Sequence, residues 1–200
     1  MIKLIIFDFD GVIEDNYEQH YLLSQKMTRG ITREEHRKLF EGNIHVEREK
    51  MKDRFTGYDL KKDFSDSKKN HVVKKEVKDT LITLHDNYLM GIVTSGYEYG
   101  VKDYLDNNKI QDLFSFIYGY GTHKIKVYKL EKAIKESNFQ KDECVFITDT
   151  LGDILEANEI GIKTIAVDFG FHEKQRLEKG NPFKIISNFE ELIPAIKSIK

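Results

Sequence analysis

Two aspartates one residue apart, Asp8 and Asp10, follow the first apolar run of the chain. This run, residues 2–7, is interrupted only by Lys3 and is stopped by Gly11, a pattern typical of a buried parallel strand. Two carboxylates at the end of such a strand repel each other and lose solvation, so a proton or a metal ion must neutralise them. The pair is therefore predicted to have a chemical role.

Further polar residues follow the other predicted strands. They are Thr94, Ser95 and Gly96 after the second strand, Lys124 in the loop after the third, and Asp149 and Asp153 after the fourth. Open α/β sheets bind ligands just outside the carboxyl ends of their strands. The shared placement of these residues predicts a single site at one edge of one sheet.

The elements that position these residues alternate between strands and helices. Strands are predicted at 89–94, 116–118, 144–148, 163–167 and 184–186, and helices at about 98–107, 126–136 and 151–160. This alternation indicates an α/β fold with a Rossmann-like parallel sheet, right-handed crossovers and flanking helices.

A long helical stretch interrupts this alternation after the first strand. Between residues 14 and 80 no strand-like apolar run occurs, and Thr32 with Glu35 forms a capping-box pattern at a helix start. A further helix is predicted from Ile44 to about Gly57, followed by a loop or weak helix over 59–70. We therefore predict a small all-helical cap at 14–80, inserted into an α/β core formed by 1–13 and 81–200.

The composition indicates which binding partners and which cellular compartment to expect. The chain has 200 residues, 40% of them hydrophobic, and a net charge of −2, which provides no global field to hold nucleic acid or an anionic membrane. Its single cysteine, Cys144, precludes an intrachain disulfide and fits a reducing compartment. Because no stretch approaches about 20 apolar residues, we expect a cytoplasmic protein with no nucleic-acid or membrane partner; its oligomeric state is not predicted.

The motifs resemble those of the haloacid dehalogenase superfamily. The resemblance rests on FDFDGV at 7–12, IVTSG at 92–96, Lys124, and ITDTLGDILEA at 147–157, and it follows the whole chain in order and spacing. It is closest to the phosphoglycolate phosphatase-like branch, which has a helical cap inserted after the first strand.

The resemblance implies a Mg²⁺-dependent phosphatase acting on a small phosphorylated metabolite. Asp8 would be the nucleophile that forms an aspartyl-phosphate, and Asp10 would protonate the leaving oxygen and then activate water. The implied Mg²⁺ ligands are Asp8, Asp149 and the backbone carbonyl of Asp10, with Asp153 orienting the ion or its waters. The implied phosphate-binding groups are Thr94, the neighbouring backbone of Ser95 and Gly96, and Lys124.

Two positions depart from the family pattern. Ile125 follows Lys124 where the family usually has proline, and Lys126 and Lys129 lie close by. Lys124 is preferred here because its spacing to the following helix matches that of the family. Thr148 stands where the family usually has glycine before the acid.

Alternative functions remain open. A dehalogenase has no need of Asp10, whereas a phosphosugar mutase of the β-phosphoglucomutase type shares both acids. A binding module that has kept the fold and lost turnover is a third possibility, and balanced charge disfavours a nucleic-acid 3′-phosphatase. The basic and aromatic residues of the predicted cap permit a small acidic metabolite without specifying one; they are Tyr17, Tyr21, Arg33, Arg37, Arg48 and Arg54.

Overall fold

A computed structural model describes residues 1–56 and 71–199 of the chain. Its centre is a six-stranded sheet in which all neighbouring strands are parallel, in the order β3-β2-β1-β4-β5-β6. The strands are β1 (Leu4–Phe7), β2 (Leu89–Val93), β3 (Phe116–Tyr118), β4 (Cys144–Thr148), β5 (Lys163–Val167) and β6 (Lys184–Ile186).

The central strands are apolar because both faces of the sheet are covered. All four residues of β1 are fully buried. Ile5 and Phe7 pack into the hydrophobic cluster on one face, and Leu4 and Ile6 pack into the cluster on the other. A strand buried on both faces needs apolar residues at every position, not at alternate ones.

Helices from different parts of the chain cover the two faces. The helices are α1 (Tyr17–Met27), α2 (Arg33–Lys38), α3 (Ile44–Lys50), α4 (Lys75–His85), α5 (Glu98–Asn107), α6 (Lys126–Ser137), α7 (Leu151–Ile160), α8 (Lys174–Leu177) and α9 (Leu192–Lys197). Apolar residues of α4, α5 and α9 pack on the face that contains Phe7, and those of α6 and α7 pack on the opposite face. The predicted fold class is thereby confirmed, and the last four strands have the predicted bounds.

Between β1 and β2, the described residues form helices joined by turns and loops, and none of them belongs to a strand of the sheet. Thr32 caps α2: its hydroxyl accepts the Glu35 N–H at 3.2 Å, while the Glu35 carboxylate accepts the Thr32 N–H at 2.9 Å. This confirms the predicted capping box. The predicted segment 59–70 and its boundary at Gly57 lie outside the described residues. The division into core and cap stays a prediction, and its boundary at residue 80 falls inside α4.

Strand order decides where a ligand can bind. β1 lies between β2 and β4, so the chain leaves β1 towards one edge of the sheet and later returns on its other side. Such a reversal opens a crevice at the carboxyl ends of the two adjacent strands. In the described part of the chain, no helix is both long and apolar enough to cross a bilayer.

Candidate active site

Asp8 lies at this crevice because it directly follows β1. Its backbone N–H donates to the Ile147 carbonyl of β4 at 2.8 Å, which continues the pairing of Phe7 with Ile147. The Asp8 side chain is almost buried, and its Oδ1 accepts the Phe9 N–H at 2.7 Å. The nucleophile predicted from the sequence therefore has a fixed orientation at the end of the sheet.

Asp149 follows the neighbouring strand β4 and is fully buried. Its Oδ2 accepts the Phe171 N–H at 2.7 Å. Two glycines make room for this carboxylate: a Cβ at Gly11 would lie 1.9 Å from Oδ2, and one at Gly170 would lie 2.3 Å from it. Gly11 also has a φ of +78°, a conformation that favours glycine. Backbone thus encloses Asp149 on two sides.

Lys126, the first residue of α6, connects two of the carboxylates. Its Nζ lies 2.8 Å from Asp8 Oδ2 and 2.5 Å from Asp153 Oδ2. The Thr148 hydroxyl donates to the same Asp153 oxygen at 2.7 Å. Because both partners of each ion pair are buried, these contacts hold Asp8 and Asp153 in one network.

Burial and charge shift the pKa values of this network in opposite directions. Burial raises the pKa of Asp8 well above its usual range, and Asp153 and Asp149 add to this while Lys126 opposes it. Burial likewise raises the pKa of Asp149 to about 8, although the hydrogen bond from the Phe171 N–H lowers it. At Asp153 burial is outweighed, mainly by the Lys126 ammonium, and the pKa is lowered. Burial also opposes the charge of Lys126, but Asp153 and Asp8 raise its pKa above the usual value. The site therefore favours added positive charge.

This set of residues fits a divalent cation. Asp149 Oδ1 is buried and has no hydrogen-bond partner among the described residues. When ionised, the three carboxylates of Asp8, Asp149 and Asp153 exceed the single ammonium of Lys126 by two negative charges. No group of three or more His, Cys, Asp or Glu side chains within 1–56 and 71–199 forms a ready metal cage. Mg²⁺ needs only one or two carboxylates, since water and substrate oxygens complete its shell.

Asp10 lies in the same cavity and is half-buried. Its Oδ1 accepts a hydrogen bond from Asn16 Nδ2 at 2.6 Å, and the same amide nitrogen donates to Glu14 Oε2 at 2.9 Å. His71 contacts the other oxygen of Glu14 at 2.7 Å. Asp10 is thus oriented by neighbours of its own, separate from the network around Lys126.

The predicted phosphate-binding loop follows β2. Thr94 is buried; its hydroxyl accepts the Gly96 N–H at 3.0 Å, and its backbone carbonyl accepts a hydrogen bond from Lys129 Nζ at 2.5 Å. Burial lowers the pKa of Lys129 to about 8, with Lys126 adding to the effect. Thr94, Ser95 and Gly96 all line the cavity that contains Asp8.

The structure corrects the prediction of Lys124. Its ammonium lies 5.6 Å from the centre of the Tyr120 ring, and the residue is not among those lining the cavity. Lys126 takes the position beside Asp8 because α6 begins at Lys126 itself, which turns this side chain towards the sheet. The structure therefore brings together all of the predicted site residues except Lys124.

The cavity above the carboxylates has a volume of about 300 Å³. Its floor contains Asp8, Asp10, Asp149 and Asp153. Residues of the predicted cap form another wall; they are His20, Phe40, Ile44, His45 and Arg48. Aromatic residues of the predicted core complete the lining; they are Tyr97, Tyr99, Tyr120 and Phe171. A small molecule held here would contact both regions at once.

A short segment after β5 links the buried Asp149 to α2. Phe171 donates its N–H to Asp149, and its carbonyl accepts a hydrogen bond from Arg37 Nε at 3.0 Å. His172 Nδ1 accepts the Leu151 N–H at 2.9 Å, so its Nε2–H donates to the Arg37 carbonyl at 2.9 Å. Burial lowers the pKa of His172 to about 4, which keeps this ring neutral. The sequence analysis missed Phe171 and His172, because only long-range contacts reveal their positions. It also missed Asn16, whose contacts with Asp10 and Glu14 are local but match no motif.

The fold and the site define a class of α/β hydrolases with a carboxylate centre. In this class one acid follows the first strand of a parallel sheet, a second acid lies two residues on, and a buried carboxylate follows the fourth strand. Residues 5–167 match the profile of the haloacid dehalogenase-like hydrolases, and the chain belongs to this family. The family resemblance predicted from the motifs is confirmed.

Curated relatives of known name include phosphoglycolate phosphatases. That of Pseudomonas fluorescens (strain Pf0-1) is 29% identical over 127 residues, which cover 62% of this chain and 47% of the relative. That of Photobacterium profundum is 24% identical over 98% of this chain and 96% of the relative. In the Pseudomonas fluorescens comparison, the matched region spans about half of the relative's length.

Solved structures share the fold. A predicted phosphatase from Clostridium acetobutylicum has a TM-score of 0.78 and 18% identity, covering 98% of this chain and 99% of that chain. A predicted phosphoglycolate phosphatase from Haemophilus somnus has a TM-score of 0.73 and 18% identity, with 98% of each chain covered. The chain therefore shares its α/β fold with these two solved structures.

Proposed function

We propose that this protein is a phosphatase that hydrolyses a small phosphorylated metabolite through an aspartyl-phosphate on Asp8. The observation that carries the proposal is the placement of Asp8 on the cavity floor, beside Lys126 and close to a second acid, Asp10. Family membership and the names of the relatives support the same reaction class.

In the first step an Asp8 carboxylate oxygen attacks the phosphorus atom and the bond to the leaving oxygen breaks. Asp10 donates its proton to that oxygen, and the alcohol departs. In the second step Asp10 takes a proton from water, whose oxygen attacks the phosphorus and releases inorganic phosphate from Asp8. Splitting hydrolysis into two displacements lowers the barrier of a reaction that is very slow in water.

The chain's other residues would hold the phosphoryl group in place. Thr94, Ser95, Gly96 and Lys126 line the cavity beside Asp8. The Thr94 hydroxyl, the backbone N–H groups of Ser95 and Gly96 and the Lys126 ammonium would donate to the phosphoryl oxygens, over which negative charge spreads. Lys126 also stabilises the anionic form of Asp8 against burial.

Mg²⁺ is the proposed cofactor, held by carboxylates of Asp8 and Asp149 and by the Asp10 backbone carbonyl, with Asp153 supporting them. When bound, it would supply positive charge that keeps Asp8 ionised and neutralises the substrate. The single buried cysteine, Cys144, supports a reducing cytoplasmic location as part of the proposal.

The test is phosphate release from a panel of phosphorylated metabolites, glycolate 2-phosphate among them, and from a chromogenic aryl phosphate in the presence of Mg²⁺. Wild type should release phosphate and Asp8→Asn should not. Equal release by both proteins would contradict the mechanism, and the absence of release from every ester would favour a non-catalytic binding module. β-Glucose 1-phosphate tests the mutase alternative: glucose 6-phosphate accumulating without free phosphate would replace the phosphatase interpretation.

A further inference from the structure

Glu156 is a buried carboxylate that the proposed mechanism does not use. It lies on α7, lines the cavity and is 7% exposed. Its Oε1 accepts the backbone N–H of Lys126 at 3.0 Å. Burying a carboxylate is unfavourable unless hydrogen bonds offset the lost solvation, so the groups that donate to Glu156 indicate its role.

The N-terminus of α6 has no cap from its own chain segment. The residue before it, Ile125, is extended and offers no side-chain acceptor. The first N–H groups of a helix have no acceptor within the helix, and a carboxylate close to them is stabilising. Glu156 supplies this acceptor from another helix. Its contact with Lys126 therefore stabilises a helix that begins at this residue.

Helix α7 holds Lys126 at both ends of the residue. Asp153 Oδ2 lies 2.5 Å from Nζ, and Glu156 Oε1 lies 3.0 Å from the backbone nitrogen. Because Asp153 and Glu156 are three residues apart, they lie on the same face of α7. One face of a neighbouring helix thus defines both the main-chain position of Lys126 and the direction of its side chain. Lys124 precedes α6 and is exposed.

Asn43, in the predicted cap, connects Glu156 to α3. Its Nδ2 donates to Glu156 Oε1 at 3.0 Å and to the Lys124 carbonyl at 3.3 Å. Its Oδ1 accepts the N–H groups of His45 and Val46, and so caps α3. One side-chain amide therefore joins the start of α3 to the start of α6.

The protonation of Glu156 is a second-order matter for these contacts. Burial raises its pKa and the nearby Asp153 adds to this, while Asn43 and Lys126 oppose the shift. A carboxyl group retains an acceptor oxygen whether it is ionised or neutral. What Glu156 provides is therefore an acceptor at a fixed place, which a neutral amide oxygen can also provide.

We propose that Glu156 is a positioning residue for the reaction. Through the Lys126 N–H it places the Lys126 ammonium beside Asp8, where that ammonium meets the phosphoryl group. Asn43 orients Glu156 for this role. Because Glu156 acts only through Lys126, the inference rests on the proposed phosphatase function.

A double-mutant cycle separates this role from a general effect on folding. Glu156→Ala should lower kcat by about 10- to 100-fold, since misplacement of a group by about 1 Å costs up to about 10²-fold. In the Lys126→Met background the same change should alter kcat by less than about twofold, because the group that Glu156 positions is already absent. Equal losses in both backgrounds would show that Glu156 supports only the fold, and would overturn the proposal.

The conservative variant tests the hydrogen bond itself. Glu156→Gln keeps an acceptor oxygen and should retain most of the wild-type kcat. A loss as large as that of Glu156→Ala would contradict the proposal. Glu159→Ala is the matched control, since Glu159 is exposed on the same helix, and its kcat should equal that of wild type.

Asn43→Ser tests the link to α3. Serine keeps an oxygen that can cap the helix but lacks the amide that donates to Glu156. It should show part of the kcat loss of Glu156→Ala, and this loss should vanish in the Lys126→Met background. Circular dichroism and melting curves establish that each variant is folded. Should Glu156→Ala fail to fold, Asn43→Ser replaces it in the cycle with the same expected outcomes.

Failure of the phosphatase function has a different signature, which is the absence of phosphate release from every ester. The position of Lys126 is then measured by NMR. The signal of its ammonium group, identified by its loss in Lys126→Met, reports the contacts with Asp8 and Asp153. This signal should shift in Glu156→Ala and stay in place in Glu156→Gln. An unchanged signal in Glu156→Ala would overturn the proposal even if no ester is hydrolysed.

Discussion

The ammonium of Lys126 lies 2.8 Å from the carboxylate of Asp8, the residue that follows β1. The same nitrogen binds Asp153, so one buried cation connects the proposed nucleophile with a carboxylate from the helix that follows β4. Because burial raises the pKa of Asp8 and Lys126 lowers it, this contact controls how much of Asp8 is ionised.

Replacing Lys126 tests this relationship. We expect Lys126→Met to lower kcat by about 10²- to 10³-fold, as loss of a preorganised charge at the reacting phosphoryl group does. Lys124→Met should stay within about twofold of wild type, since Lys124 does not line the cavity. The measurement is kcat of both variants and of wild type, determined by steady-state kinetics on the best substrate of the panel.

The reverse pattern, with Lys124→Met the more damaging change, would restore the original prediction from the sequence. Removing Lys126 also leaves buried carboxylates without their cation, which destabilises a fold by about 3–5 kcal/mol. Lys126→Arg keeps the charge, and its partial activity would separate the electrostatic role from a folding defect.

The orientation of Asp10 by Asn16 makes a second prediction. Asn16→Ala removes the amide that donates to Asp10 at 2.6 Å. We expect kcat for alkyl phosphates to fall by about tenfold, a part of what general acid catalysis contributes. The loss should be smaller for p-nitrophenyl phosphate, because its phenolate leaves without needing a proton.

Asp10→Asn should show the same dependence on leaving group, but more strongly. The measurement is a plot of log kcat against the pKa of the leaving alcohol for a series of esters. Stronger dependence on the leaving group would appear as a steeper slope in this plot. An Asn16→Ala enzyme that loses the same factor on every ester would mean that Asn16 supports the fold and not proton transfer.

The sequence was sufficient for the strands, and for most of the site. Runs such as CVFI, residues 144–147 of β4, are apolar at every position because both faces are buried, so their pattern is local and can be read directly. Lys124 was chosen wrongly because two neighbouring lysines differ only in where α6 starts, and Ile125 lacks the conformational restriction of the usual proline. His172 was missed because its partner in α2, Arg37, is 135 residues away, a distance that no local pattern spans.

The enclosure of Asp149 by backbone predicts a metal defect in Gly170→Ala. The added Cβ would lie 2.3 Å from Asp149 Oδ2, so the carboxylate must move. We expect Mg²⁺ binding, measured by calorimetry and by metal-induced thermal stabilisation, to weaken by about tenfold or more.

Gly161→Ala is a suitable control. Gly161 has a φ of +75° and no atoms within 4 Å of the added Cβ, so alanine there strains the backbone without touching the site. This variant should lose about 1–2 kcal/mol of stability with unchanged Mg²⁺ affinity. Unchanged Mg²⁺ affinity in Gly170→Ala would argue against Asp149 as a metal ligand.

Buried His36 predicts how stability depends on pH. Its ring is fully buried and shares a hydrogen bond with His20 at 2.9 Å. Burial and three nearby arginines lower its pKa to about 3. Below pH 6.5 the unfolded chain takes up a proton at His36 that the folded chain does not. Stability from the neutral ring is therefore fully present above pH 6.5 and is lost as pH falls towards 3, by about 1.4 kcal/mol per pH unit.

His36→Phe removes this titration while an aromatic ring still packs against Phe40 and Phe171. The free energy of unfolding is measured by denaturant titration between pH 6.5 and 4. As the pH falls, it should decrease less steeply in His36→Phe than in wild type, with a difference of about 1.4 kcal/mol per pH unit. His45 and His172 contribute equally in both proteins, so the difference in slope isolates His36. Identical slopes for wild type and His36→Phe would show that His36 is not held neutral by the fold.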